Sequence, residues 1–141
     1  MKSRHLVGLI WALIPIAAAA EGADVSVRDA WVREAPPGVS MMAGYMVLQN
    51  NTSRAQMLVA ARSSGFESVM IHRTRVKQGL TGMEHAPQVE LLPNANLSFA
   101  PGGYHLMLLN PKRALRAGDR VDITLEFRGG LVISVAYEVR K

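Results

Sequence analysis

The sequence predicts an all-β domain, an antiparallel two-sheet Greek-key sandwich or barrel, on three observations. Short stretches rich in Val, Ile, Leu and Tyr recur along the chain, each is bounded by Gly, Pro, Asn or Ser clusters, and no segment after Ala20 sustains helical periodicity. At 141 residues, 49% of them apolar, the chain is long enough for one domain with a real core and too short for two.

The amino terminus is read separately. MKSRH is basic, LVGLIWALIPIAAAA is apolar, and Ala18, Ala19 and Ala20 end the run with small residues, the layout of a secretory signal peptide. Residues 1–20 are therefore assigned to a signal peptide, with Gly22 the second choice for cleavage, and 21–141 to the domain. A retained membrane anchor is the competing reading. Against it, the apolar run from Leu6 to Ala20 is shorter than the roughly 20 residues a spanning helix needs, and Pro15 interrupts it.

Eight strands follow in order. WVRE (31–34) stops at the APPGVS loop, AGYMVLQN (43–50) at the polar NNTSR break, and AQMLVAAR (55–62) at Ser63-Ser64-Gly65. FESVMIHRTRV (66–76) runs toward a Gly79 and Gly82 segment. QVELLP (88–93) ends in Pro-Asn, YHLMLLN (104–110) begins after Pro-Gly-Gly, and RVDITLEF (120–127) follows the RAGDR break. LVISVAYEV (131–139) is joined to its predecessor by Gly129-Gly130, expected as a two-residue hairpin loop with positive φ at both positions.

Composition excludes several functions. There is no cysteine, which removes structural disulfides, a thiolate nucleophile and any Cys-ligated blue-copper or zinc site. Sixteen Lys plus Arg stand against eleven Asp plus Glu; loss of Lys2 and Arg4 with the signal peptide leaves 14 against 11, a net +3. The basic residues are scattered, so nucleic-acid binding has no support beyond a pI near 10.1. No GxSxG elbow, HExxH helix or phosphate-cradling glycine loop is present, and no enzyme activity is expected.

Four residues carry the chemistry: His72, Met83, His105 and Met107. Soft thioether sulfur selects Cu(I), and imidazole binds copper readily. In YHLMLLN the alternation puts His105 and Met107 on one face and Tyr104, Leu106 and Leu108 on the other. If the chain turns back at Lys77 and Gln78, His72 and Met83 become directly opposed cross-strand neighbours. The four together would make one N₂S₂ site at one end of the sandwich, holding one Cu(I) per chain.

Taken singly, each has a plainer reading, since a strand Met is usually core packing and a half-buried His is usually just hydrogen-bonded. It is the fixed spacing of all four that matters. His85, two residues past Met83, is an accessory or Cu(II) ligand candidate, with a solvent-facing loop histidine the plainer reading. Met41 and Met42 are assigned to packing or loop filling near the site, and Met46, Met57 and Met70 to the core. Asn50, Asn51 and Asn96 match glycosylation acceptors but read more plainly as turn residues.

The spacing H(x)10M(x)21HxM, with the flanking DAWVREAPPG, AGYMVLQN and PGGYHLML blocks, resembles the PCuAC (DUF461) family of periplasmic copper chaperones over nearly the whole mature chain. The resemblance implies a cupredoxin-like, immunoglobulin-like β-sandwich in the periplasm. It also implies a shallow Cu(I) site whose ion passes to an acceptor, in that family the dinuclear copper centre of cytochrome c oxidase, alongside Sco-type thiol proteins. The chain ends in AYEVRK and lacks the His- and Met-rich tail of some relatives, so a tail-borne second site is not expected. A monomer without stable membrane insertion is expected. The rival readings are an exported interaction module without a metal, and a copper storage or resistance protein.

Overall fold

The computed structural model describes residues 23–141, and among these every regular element is a strand. The signal-peptide assignment, 1–20, lies outside the described residues. The strands are β1 (Val25–Arg33), β2 (Met41–Asn50), β3 (Gln56–Arg62), β4 (Phe66–Lys77), β5 (Leu80–His85), β6 (Val89–Leu91), β7 (Asn96–Phe99), β8 (Tyr104–Pro111), β9 (Arg120–Phe127) and β10 (Val132–Arg140).

Eight of the ten overlap the stretches read from sequence, although β1 begins at Val25, six residues before the WVRE stretch. The two that do not are β5 and β7. LTGMEH is exposed at every position, so it carries no buried alternation to read; it is a strand because β4 offers it a full backbone ladder. NLSF has only four residues, below the length at which a pattern is visible.

Hydrogen bonds join all ten into one ladder, in the order β5-β4-β8-β7-β2-β1-β10-β9-β3-β6, with β8 also paired to β2. β1 and β10 run parallel, as do β7 and β8 where Phe99 meets Tyr104; the other pairs are antiparallel. The ladder folds over on itself, so that β3 and β4, far apart in that order, pack together. One core results. Leu48, Leu106 and Leu108 from one half meet Leu58, Ile123 and Leu125 from the other, all fully buried, each stabilising the fold by about 1.5–3 kcal/mol.

Two polar groups are accommodated inside. Tyr137 donates its hydroxyl to Met46 Sδ at 2.7 Å, and burial pushes that hydroxyl far above the usual phenol range. Asn50, at the end of β2, is buried and hydrogen-bonded on both ends of its amide. Gly44 lets β8 approach β2 closely, because a Cβ there would lie 3.3 Å from Leu106 Cβ.

The β9–β10 connection corrects one expectation. Gly129 and Gly130 do have positive φ, +92° and +99°. Phe127 N–H bonds Leu131 C=O at 2.8 Å and Gly130 N–H bonds Phe127 C=O at 3.3 Å, so Arg128 joins the loop and it has three residues, not two. Of the methionines assigned to the core, Met46 is buried, whereas Met57 and Met70 are only half-buried.

Candidate metal centre

The strands β5, β4, β8 and β2 lie side by side, and their core-facing side is filled by residues such as Ile71, Leu106, Leu108 and Met42. His72, Met83, His105 and Met107 lie on the other side. Alternation forces this for β8: once Leu106 and Leu108 enter the core, His105 and Met107 must face away from it.

Register does the rest. His72 sits directly opposite His105, and Met70 directly opposite Met107, across the β4–β8 ladder. Across β4–β5, however, the partner of His72 is His85, and the partner of Met83 is Thr74. The expected His72–Met83 pairing is therefore wrong by two residues. The chain turns at Gln78 and Gly79, both with positive φ (51° and 76°), one position later than expected, and Lys77 pairs with Leu80. A two-residue shift preserves the face. Met83 remains on the side of His72 as its diagonal neighbour, within reach of a long side chain. His85 is likewise in a strand rather than a loop.

Three imidazoles thus form a row over adjacent strands. The ring centre of His72 lies 5.7 Å from that of His85 and 5.9 Å from that of His105. Tyr45, tilted at 41° against Trp31 with ring centres 4.8 Å apart, lines the same cleft as His105, and His105 is only 6% exposed although it faces away from the core. Beside the row opens a cleft of about 330 Å³ lined by His105, Met107, Met83, Met41 and Thr74, with Glu34–Pro36 and Pro101–Gly102 completing its wall. Met41 and Met42 both line the cleft, Met41 from an exposed position and Met42 from its place in the core.

The nitrogens of this row are unusual. His105 Nδ1 lies 3.3 Å from Gly103 O; a carbonyl only accepts, so in the neutral ring this contact calls for the proton on Nδ1 and leaves the lone pair on Nε2. That Nε2 is buried without a hydrogen-bond partner, and so is His72 Nδ1. Such orphaned groups cost about 1–3 kcal/mol each in a folded protein. Burial, then the charges of His105 and His85, lower the pKa of His72 below the ordinary 6.5. A neutral ring with a free lone pair is the form that ligates a metal.

Among the described residues no three His, Asp or Glu side chains converge on one point. A set of three or more such ligands is thus not preformed among the described residues, and the sulfur donors beside the row are Met83 and Met107, with Met41 and Met42 also on the cleft wall. Met83, 63% exposed, stands at the outer edge, and half-buried Met107 at the inner side. Two imidazoles and two thioethers suit a soft closed-shell ion such as Cu(I).

Comparisons with known proteins agree with this architecture. A family model described as "Putative lipoprotein LpqE-like" matches residues 25–139. The chain is 36% identical over 117 residues to "Putative lipoprotein Lxx21020" of Leifsonia xyli subsp. xyli, covering 82% of this chain and 69% of that one. Among solved structures it is similar to CuI-DR1885 from Deinococcus radiodurans, with 33% identity, a TM-score of 0.70, and coverage of 88% of this chain and 83% of that one. It is also similar to the apo PCuAC domain from PmoF1, with 26% identity, a TM-score of 0.72, and coverage of 84% and 94%.

Proposed function

The chain belongs to the LpqE-like family, of PCuAC type, and from that premise we propose that it is an exported, periplasmic Cu(I) metallochaperone. One Cu(I) ion is its cargo, held by His72, His105, Met83 and Met107 and handed to an acceptor protein. The oxidase copper centre, reached directly or with a Sco-type thiol protein, is the acceptor we propose. The protein works as a monomeric carrier and not as an enzyme.

One observation supports this most. Two buried, partnerless imidazole nitrogens stand on facing positions of adjacent strands, and one of the two rings, His105, lines a cleft that also holds Met83 and Met107. A soft cation satisfies both at once, whereas a pure interaction module would leave their cost of about 1–3 kcal/mol each unexplained. The relative from Deinococcus radiodurans was solved with CuI, in line with that choice of ion. The half-exposed geometry suits delivery, because an acceptor's ligands can reach the ion without the domain unfolding.

The direct test titrates the mature chain with Cu(I) against a chromophoric chelator. One equivalent should be retained. Several ions per chain would indicate storage instead, and none would leave the interaction module.

Acidification should weaken retention in a defined window. The thioethers have no proton to take up, and His72 has its pKa held below 6.5. Proton competition at His72 therefore begins below that value, and affinity should then fall by up to about tenfold per pH unit. The same shift acts on folding: the unfolded chain protonates His72 first, so its contribution to stability is full above 6.5 and is lost as pH falls. Chelator competition at a series of pH values checks this; a loss already complete at neutral pH would contradict it.

A further inference from the structure

His85 is left without a role by a four-ligand site, yet it stands in the same row as His72 and His105. Its ring centre is as close to that of His72, 5.7 Å, as that of His105 is on the other side, 5.9 Å. With metal–imidazole bonds of about 2.0–2.1 Å, two rings sharing one ion have centres roughly 4–6 Å apart. Both pairs lie within that range. His85 and His105 do not pair with each other, since they sit on strands either side of β4, about two strand spacings or roughly 10 Å apart.

We propose that the ion has a second, edge-facing position between His72 and His85, which it takes up as it leaves. This rests on the copper reading above and deepens it. A Cu–N bond to His85 forms as the Cu–N bond to His105 breaks; the metal stays Cu(I), and neither a proton nor an electron is transferred. His72 holds the ion throughout. Met83, on the strand and face of His85, travels with the ion, and Met107 is left behind with His105.

Direction follows from burial and topology. His105 is nearly buried, His85 is exposed, and among the described residues β5 is the end strand of the ladder. An ion at His105 is walled by β2 and β8, whereas one at His85 meets an open edge where incoming ligands have free approach. The residue thus sets the rate of transfer more than the strength of binding.

The test loads wild-type protein, His85→Ala and His85→Gln with one equivalent of Cu(I) and follows transfer to an excess of chromophoric chelator by stopped flow. Both variants alter an exposed position, so folding is expected to be retained. Transfer should slow at least about fivefold in each, while the equilibrium affinity changes by no more than about threefold. Unchanged transfer rates, or an affinity loss as large as that of a principal ligand, would each overturn the edge position. Failure of the wild type to retain Cu(I) at all would overturn the chaperone reading together with it.

Discussion

Replacing His105 with leucine is expected to abolish tight Cu(I) retention while leaving the apo-protein as stable as before or slightly more so. The two halves of that result come from one atom. His105 Nε2 is buried with no hydrogen-bond partner, so in the metal-free fold it is a cost that an apolar side chain of similar bulk removes. As a ligand the same nitrogen is irreplaceable, because leucine offers no lone pair. Affinity should fall by at least about 100-fold, roughly 2.7 kcal/mol, and the apo unfolding free energy should hold or rise by up to about 1 kcal/mol. A packing histidine would behave in the opposite way, with stability falling and copper binding following only indirectly. Chelator competition and urea denaturation of the same preparation separate these outcomes. Met83→Leu provides the contrast: at an exposed edge its loss should weaken binding by about tenfold or less and leave the fold untouched.

What the sequence made legible is what alternation encodes. The core strands β2, β8, β9 and β10 announce themselves because Leu48, Leu106, Leu108, Ile123, Leu125, Tyr137 and Val139 are buried at every second position. The same period puts His105 and Met107 on one face of β8. The PCuAC resemblance named the family and fold correctly. Register was not legible, because it depends on which two residues between Arg75 and Gly82 take positive φ, and Gln78 is a residue that seldom does. That single turn decides that His85, rather than Met83, faces His72. Strand β5 escaped for a related reason: its six side chains are all exposed, so its structure comes from its neighbour's backbone and not from its own pattern. The orphaned nitrogens could not be inferred at all, since they depend on which strands flank His72 and His105, and β4 and β8 are brought together from positions remote in sequence.

Asn50→Asp is expected to cost about 3–5 kcal/mol of stability at neutral pH, among the largest effects of any near-isosteric change in this chain. The turn reading of Asn50 missed how it is held. The side chain is 1% exposed. Its Nδ2 donates to the carbonyls of Arg54 (2.7 Å), Leu91 (3.1 Å) and Leu92 (3.1 Å), and its Oδ1 accepts from Thr52 N (3.0 Å) and Thr52 Oγ1 (2.7 Å). One amide thereby ties the end of β2 to the loop before β3 and to the end of β6. Aspartate keeps the acceptor half but turns the donor half into a second oxygen facing three carbonyls, with a buried charge that has no cation among these partners. The carboxyl escapes by taking up a proton, so the penalty should shrink as pH falls toward 4, which a merely smaller or misplaced side chain would not do. Urea midpoints across that range, with the slope of the transition unchanged, give the measurement; a neutral-pH loss below about 1 kcal/mol would refute the clamp. Copper affinity of the folded fraction should be unaffected, because Asn50 lies five residues, about 17 Å, along β2 from Tyr45 at the metal row.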